Sequence, residues 1–187
     1  MEELKLYVID NTYIEYLRSD SRLSNVFKNK DDSNFVRKYV GVVLNIGNHK
    51  YYVPLSSPKN SDYKNVNGIN IIRNDIIPII RIRCFNRSGH AELKGTLKFS
   101  NMIPVPLNAI TYYNINLEED ISYKILVTKE YEFIKENQDK IKKHAYVIYN
   151  QKTKENILYP DRTRKPRYLE HTVDFKYAEY KADNYRN

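Results

Sequence analysis

Lys38-Tyr39-Val40-Gly41-Val42-Val43-Leu44-Asn45-Ile46-Gly47-Asn48-His49-Lys50-Tyr51-Tyr52-Val53-Pro54 is the stretch on which the reading of the fold turns. Residues 38–46 are rich in β-branched and aromatic side chains, which suit a pleated, half-buried surface. Gly47-Asn48 is a two-residue turn between two such runs, so 38–46 and 49–54 are expected to form an antiparallel hairpin. Pro54 is expected to end the returning strand, because it has no N–H to give to a ladder. The loop Leu55-Ser56-Ser57-Pro58-Lys59 follows and places two hydroxyls and an ammonium just past a strand end.

On the N-terminal side, residues 4–9 read as a strand. A short helix follows to about Arg18, with Thr12 and Glu15 spaced as a capping box. Residues 19–34 are polar and read as a loop. On the C-terminal side, 69–73 and 76–84 are β-rich, and Pro78 demotes the second run to an edge or bulged strand. Residues 86–95 read as a polar loop, and 96–105 and 109–113 as short strands broken by Pro104 and Pro106. From about Glu118 the apolar period changes to that of a helix: Tyr123, Val127, Tyr131, Ile134, Ile141 and Ala145 share a face. Acidic residues at its start and lysines near its end match the helix dipole, giving a long helix at about 118–143. Residues 145–149 fit either a continuation or a strand, 150–172 look basic and irregular, and 174–184 read as a closing helix capped by Asp174. Strands dominate the first two thirds and helices the last, which is an α+β arrangement around a small curved sheet.

The chain has 187 residues, the length of one domain spanning 1–187. Apolar residues are 41% and charged residues 29%, which fits a globular domain. No apolar run approaches the roughly 18 residues of a membrane span, and the start Met1-Glu2-Glu3 lacks the pattern of a signal peptide. Cys84 is the only cysteine, so no disulfide closes within the chain and a four-thiolate zinc site is excluded. A cytoplasmic protein with no membrane partner is expected. The net charge of +8 is unevenly spread: residues 140–167 hold nine basic side chains against Glu155 and Asp161. Such a tract suits a polyanion, with Lys140, Lys143, Lys152, Lys154, Arg162, Arg164 and Lys165 as RNA-binding candidates. The bland alternative is a solvated face. Tyr146, Tyr149, Tyr159 and Tyr168, interleaved with these charges, favour RNA because rings stack on unpaired bases. The 18 tyrosines fit an A/T-rich coding bias equally well.

Metal chemistry has little support. His49, His90, His144 and His171 are scattered, no acidic cluster suggests a two-metal site, and no phosphate-cradling glycine loop is present. No cofactor is expected. RNA can be cut without metal if the 2′-OH is deprotonated, the phosphate is held and the leaving 5′-oxygen is protonated. The Ser56–Lys59 loop supplies groups of the right kind, although Ser-Ser-Pro-Lys is also a common turn sequence. His49 reads as a strand residue rather than a base.

Four segments in order carry a family resemblance: Leu6-Tyr7-Val8-Ile9 through Tyr13-Ile14-Glu15-Tyr16-Leu17; Tyr39-Val40-Gly41 through Lys59; Met102-Ile103-Pro104-Val105-Pro106; and Tyr131-Glu132-Phe133-Ile134-Lys135-Glu136-Asn137 with Asp139-Lys140-Ile141. Asp174-Phe175-Lys176 is a weaker fifth. Together they resemble the type III toxin–antitoxin endoribonucleases, the ToxN/AbiQ-like family of toxins and phage abortive-infection proteins. The resemblance implies a compact, strongly curved antiparallel sheet surrounded by helices, akin to the Kid/MazF toxins. It implies a metal-independent endoribonuclease that cuts cellular or phage RNA and leaves 2′,3′-cyclic phosphate and 5′-hydroxyl ends. It also implies an RNA antitoxin, a small pseudoknot that the toxin cuts from a tandem-repeat transcript and that can close with it into protein–RNA rings. Carried over by position, the family's hydroxyl–serine–proline–lysine loop falls on Ser56, Ser57, Pro58 and Lys59, its first-helix tyrosine on Tyr13, and its basic residue before the second strand on Arg37, with Lys38 beside it. On that reading Ser57 contacts the 2′-oxygen, Lys59 meets the phosphorane charge or moves a proton if desolvated, Tyr13 stacks on a base or orders the loop, and Arg37 holds a phosphate. Core packing is the other reading of Tyr13. Residues 60–98 and those after Asn150 do not follow the family by eye. A non-catalytic RNA-binding protein using the basic tract is the principal alternative function, and a protein-binding module is the third.

Overall fold

A computed structural model describes residues 3–29, 36–86, 88–162 and 164–186. The chain runs β1 (Lys5–Ile9), α1 (Asn11–Arg18), β2 (Lys38–Ile46), β3 (His49–Ser56), β4 (Tyr63–Val66), β5 (Ile69–Ile72), β6 (Ile79–Phe85), β7 (Ala91–Lys98), β8 (Ile103–Pro104), β9 (Ile110–Tyr112), α2 (Ile121–Glu136), α3 (Gln138–Thr153), α4 (Glu155–Leu158) and α5 (Phe175–Asp183). The main sheet has the order β6-β7-β3-β2-β1-β9, with β8 also on β3. Every pairing in it is antiparallel. The result is a mixed α/β fold, as expected.

The hairpin forms at the expected turn, with His49 opposite Ile46 and Tyr39 opposite Pro54. Pro54 does not end β3. The strand continues to Ser56 by changing partners, and Leu55 and Ser56 pair with Leu97 and Thr96 of β7. Proline is tolerated at that changeover because no ladder donor is demanded of it there. β3 therefore pairs with β2 and β8 along its length and delivers its last residues to the β6–β7 half of the sheet. Pro78 precedes an edge strand with a register shift between Ile82 and Arg83, which agrees with the edge-strand reading.

Other boundaries differ from expectation for identifiable reasons. β7 starts at Ala91, inside the stretch read as a polar loop, because Asn86 and Ser88-Gly89-His90 already turn the chain back. The β4–β5 hairpin was not expected before residue 69. Its turn is Asn67-Gly68, both with positive φ, the pair most suited to a tight hairpin turn. The long helix is two helices. α2 begins at Ile121 behind Asp120, whose carboxylate accepts from the Tyr123 amide. It stops at Asn137, where φ −114° and ψ 21° leave the helix before α3 begins and carries 145–149 with it. The Thr12/Glu15 capping box is absent: Thr12 lies inside α1, and Glu15 accepts instead from the Asn11 side chain. α5 has the expected cap, Asp174 accepting from the Tyr177 amide. Within 19–34 a short 3-10 turn forms at Ser21–Leu23, and 30–35 lie outside the described residues.

Some of the tyrosines build the core rather than a stacking surface, while Tyr112, Tyr146 and Tyr180 stay exposed. Tyr13, Tyr39, Tyr51 and Tyr52 are among the largest fully buried side chains, with Phe99 and Phe175. Burying a phenol requires a partner for its hydroxyl. Tyr51 and Tyr149 both donate to Glu179 of α5 at 2.8 Å, and Tyr13 donates to the Pro104 carbonyl at 2.7 Å. Tyr149 thus belongs to the core and not to the basic surface on which it was expected. The same packing explains Gly41, where an added Cβ would lie 2.1 Å from Cδ1 of Tyr52. Gly41→Ala is therefore expected to cost about 1–3 kcal/mol by overpacking, read as a lower urea midpoint at an unchanged denaturant slope.

Candidate active-site cleft

The residues just past the partner change of β3 open a cleft of about 630 Å³. Its walls come from the loop (Ser56, Ser57, Pro58, Lys59), from the entry to β2 (Val36, Arg37, Lys38), from β7 (Lys94, Lys98) and from α2 (Tyr123, Leu126, Glu130), with Phe27 and Lys28 at one side. Five sequence-derived candidates thus meet in one place: Ser56, Ser57, Lys59, Arg37 and Lys38. Arg37 fastens the loop, donating from Nη1 to the Leu55 carbonyl at 3.1 Å and to Oγ of Ser56 at 2.8 Å. Its guanidinium also lies 4.9 Å from the centroid of the Phe27 ring, and burial pulls its pKa down. Ser56 is buried, whereas Ser57 and Lys59 are exposed. The desolvation that the proton-transfer reading of Lys59 requires is therefore not present in the structure, which corrects that reading. Lys38 is buried, donates to the Val36 carbonyl at 3.1 Å and lies over the rings of Tyr113 and Tyr123. Burial lowers its pKa, and Glu118 offsets part of that.

Tyr13 does not come to the cleft. It is fully buried in the core between Tyr16 and Tyr185, so the structure bears out its packing reading and not its stacking one. His49 sits at the other end of β3, with Nε2 2.9 Å from Oδ1 of Asp183. The basic tract is only partly available. Lys140 pairs with Asp75 at 2.6 Å, Lys152 with Glu155 at 3.3 Å and Lys165 with Glu155 at 2.5 Å. Lys143, Lys154, Arg162 and Arg164 are exposed.

Sequence reasoning missed two acids. Asp62 is buried behind the loop, accepts the Lys59 amide at 3.0 Å, and lies 3.1 Å from Nη2 of Arg81 and 3.8 Å from Nζ of Lys98. It ties the backbone of the loop to β6 and β7. Nothing in its sequence neighbourhood announces this, because its partners stand about twenty and thirty-six residues on. Glu130 had a legible signal. It falls between Val127 and Ile134 at helical spacing, an acid inside the buried stripe of α2. It is 4% exposed, and its carboxyl lies against Gly95, where a Cβ would stand 2.3 Å from Oε1 and 3.4 Å from the Ser56 carbonyl oxygen. Burial alone pushes its pKa up to about 8. Among the described residues no group of three or more His, Cys, Asp or Glu side chains is placed to hold a metal ion.

The family model for the ToxN toxin of type III toxin–antitoxin systems matches residues 5–182. The chain belongs to the ToxN family. It is 30% identical over 185 residues to the endoribonuclease ToxN of Bacillus thuringiensis subsp. kurstaki, spanning 97% of this chain and 84% of that protein. It is 28% identical over 183 residues to the endoribonuclease AbiQ of Lactococcus lactis subsp. lactis, spanning 97% and 89%. A solved type III toxin, described with its selective inhibition by a non-coding RNA pseudoknot, superposes with a TM-score of 0.74 at 30% identity over 98% of both chains. AbiQ, a lactococcal anti-phage endoribonuclease, superposes at 0.72 and 25% identity over the same share. The resemblance read from the four sequence segments is thereby established at the level of family.

Glu130 yields a stability prediction for this ToxN-family chain. Its native pKa lies above the usual 4.5, so the native state keeps a proton that the unfolded state loses, and stability falls as pH rises from 4.5 towards 8. Glu130→Gln removes that loss. It is expected to stabilise the protein at pH 7 by up to roughly 3 kcal/mol and to leave it unchanged at pH 4, measured by urea unfolding at both pH values.

Proposed function

We propose that the protein is a metal-independent endoribonuclease toxin of a type III toxin–antitoxin or abortive-infection system. It acts on RNA in the cytoplasm and leaves 2′,3′-cyclic phosphate and 5′-hydroxyl ends. The observation that carries this reading is the meeting of Arg37, Ser56, Ser57 and Lys59 with Lys94 and Lys98 around one cleft, in a chain whose relatives are endoribonucleases. Cleavage forms a bond from the 2′-oxygen to phosphorus and breaks the bond to the 5′-oxygen. Ser57 meets the 2′-oxygen, Lys59 faces the charge that develops on the phosphorane, and the cations of β7 draw the phosphate in. Arg37 acts chiefly through Ser56, whose hydroxyl and preceding carbonyl it already holds; it is a positioning residue in this scheme. The antitoxin is a pseudoknot RNA cut by the toxin from a repeat transcript, and it binds the exposed cations of residues 140–167, with ring assembly as its endpoint. The Kid/MazF-like sheet curvature belongs to the same proposal.

Ser57→Ala is expected to abolish RNA cleavage and host toxicity while circular dichroism and the melting temperature stay unchanged, since it removes one exposed hydroxyl. A folded Ser57→Ala protein that remains fully toxic would overturn the assignment. Lys59→Ala should lose most activity, and Lys59→Arg separates charge from proton transfer, because guanidinium keeps the first and cannot perform the second. Cleavage by wild type should persist in excess EDTA, with 5′ ends that accept label from a kinase without prior phosphatase treatment.

The regulatory half of the proposal has its own test. Neutralising Lys143, Lys154, Arg162 and Arg164 together should weaken antitoxin binding and flatten its salt slope by roughly 0.7–0.9 per lost phosphate contact. Toxicity of the protein expressed alone should be unchanged and rescue by co-expressed antitoxin poor. Lys152 and Lys165 are kept in that variant because their pairing with Glu155 supports the chain after α3. Binding and rescue equal to wild type would make the tract a solvated surface.

A further inference from the structure

The cleft mixes cations with apolar side chains. Lys59, Lys94 and Lys98 come from the loop and β7, Arg37 lies over Phe27 and Lys38 over Tyr123, and Val36 and Leu126 add apolar surface. Glu130 is set in that wall. Tyr123, Leu126 and Glu130 are spaced so that α2 turns all three to the cleft. The charged and titratable groups that share the cleft with Glu130 are Tyr123 on its own helix, Lys94 and Lys98 on β7, Lys28, Arg37 and Lys38 ahead of and at the start of β2, and Lys59 on the loop, and Cys84 on β6 lies within reach of its charge. The nearby cations are directed elsewhere. Lys94 pairs with Glu92 at 2.5 Å, Lys98 faces Asp62, and Arg37 and Lys38 donate to backbone carbonyls. Among the described residues none forms an ion pair with Glu130. A buried acid in a cleft full of lysines, without a lysine of its own, costs stability and is not explained by packing. Gly95 is bare where the carboxyl rests, so a side chain there would displace it.

We propose that Glu130 is the base-reading group of the cleft, receiving the hydrogen-bonding edge of one nucleobase of the bound RNA beside the Ser56–Lys59 loop. This rests on the ribonuclease reading and adds where a base sits and what reads it. In this scheme the base lies against α2 beside Tyr123 and Leu126, with its phosphate towards Lys59. A protonated carboxyl presents one O–H donor beside one carbonyl acceptor. It pairs with a base edge that offers an acceptor beside a donor, such as N1 and the N6 amino group of adenine. An ionised carboxylate presents two acceptors, and among the four bases only guanine offers two adjacent donors, N1–H and the N2 amino group. A carboxamide copies the protonated acid at every pH. The reader therefore has a signature that a purely structural acid lacks: its preference moves towards guanine when the carboxyl ionises.

The probe is a set of 2′-O-methyl hexanucleotides that are abasic at every position, or at every position but a central adenine or guanine. They lack the 2′-hydroxyl nucleophile and cannot be cut. Binding to the full chain is measured at pH 6.5 and pH 8.5 for wild type, Glu130→Gln and Glu130→Leu. Wild type should raise its guanine-to-adenine affinity ratio about tenfold between the two pH values, within the range of one bidentate pair. Glu130→Gln should bind both bases above the abasic probe with a ratio independent of pH, which also removes any contribution from titrating lysines. Glu130→Leu should lose the difference between adenine and abasic probes. A wild-type ratio that does not move, or that moves equally in Glu130→Gln, overturns the proposal. Cutting of an unmodified RNA is scored in parallel. Cutting without the guanine shift overturns base reading alone, and a guanine shift without cutting overturns the ribonuclease reading alone.

Discussion

Asp62 puts a carboxylate where water hardly reaches, and a charge in that position is tolerable only with cations against it. Arg81, itself 3% exposed, and Lys98 supply them from β6 and β7. The second oxygen of Asp62 accepts the Lys59 amide. One side chain thus joins the edge half of the sheet to the loop that follows β3. Arg37 grips the same loop from the opposite side through Ser56. Removing one partner of a buried pair leaves the other charge stranded, at a cost of about 3–5 kcal/mol. The positions of Ser57 and Lys59 consequently depend on a charge pair that the loop meets through the backbone amide of Lys59.

Asp62 and Glu130 show how placement separates two acids within the same region. Asp62 is closed in by cations and holds backbone. Glu130 lacks them, and burial raises its pKa until the proton stays near neutral pH. A carboxamide or an apolar side chain at such a position avoids the penalty of burying an ionisable group. The loss in stability is modest beside the burial of Tyr51, Tyr52, Phe99 and Phe175 in the same core.

The parts of this fold that local rules govern were legible. The β2–β3 hairpin, an edge strand that begins only after Pro78 and the Asp174 cap follow from turn chemistry, the missing proline N–H and a short polar side chain. The loop residues Ser56, Ser57 and Lys59 and the basic Arg37 were also reachable, because the family pattern lies within about twenty residues. What escaped was set by tertiary contact. Pro54 reads as a stop until β7 offers Leu55 and Ser56 a new partner. Asn137 sits in an apolar period that does not reveal the break between α2 and α3. Asp62 means nothing without Arg81. Tyr13 looks equally suited to a base and to a core, and only the carbonyl of Pro104 decides it. The Asn67-Gly68 turn and the acid within the α2 stripe were the two readable signals left unread.

Glu179 of α5 receives the hydroxyls of both Tyr51 and Tyr149, and Phe175 and Ala178 fill the core beside them. Tyr51 lies on the strand that carries Ser56. A nascent chain on the ribosome, with β1 through α3 already made, still has that strand facing an unfilled hollow and a buried phenol without an acceptor. Folding cannot close around the strand until residues 175–183 have been synthesised. A chain that ends before α5 thus lacks the core around the strand that carries Ser56, and translation itself delays the moment at which that strand is closed in.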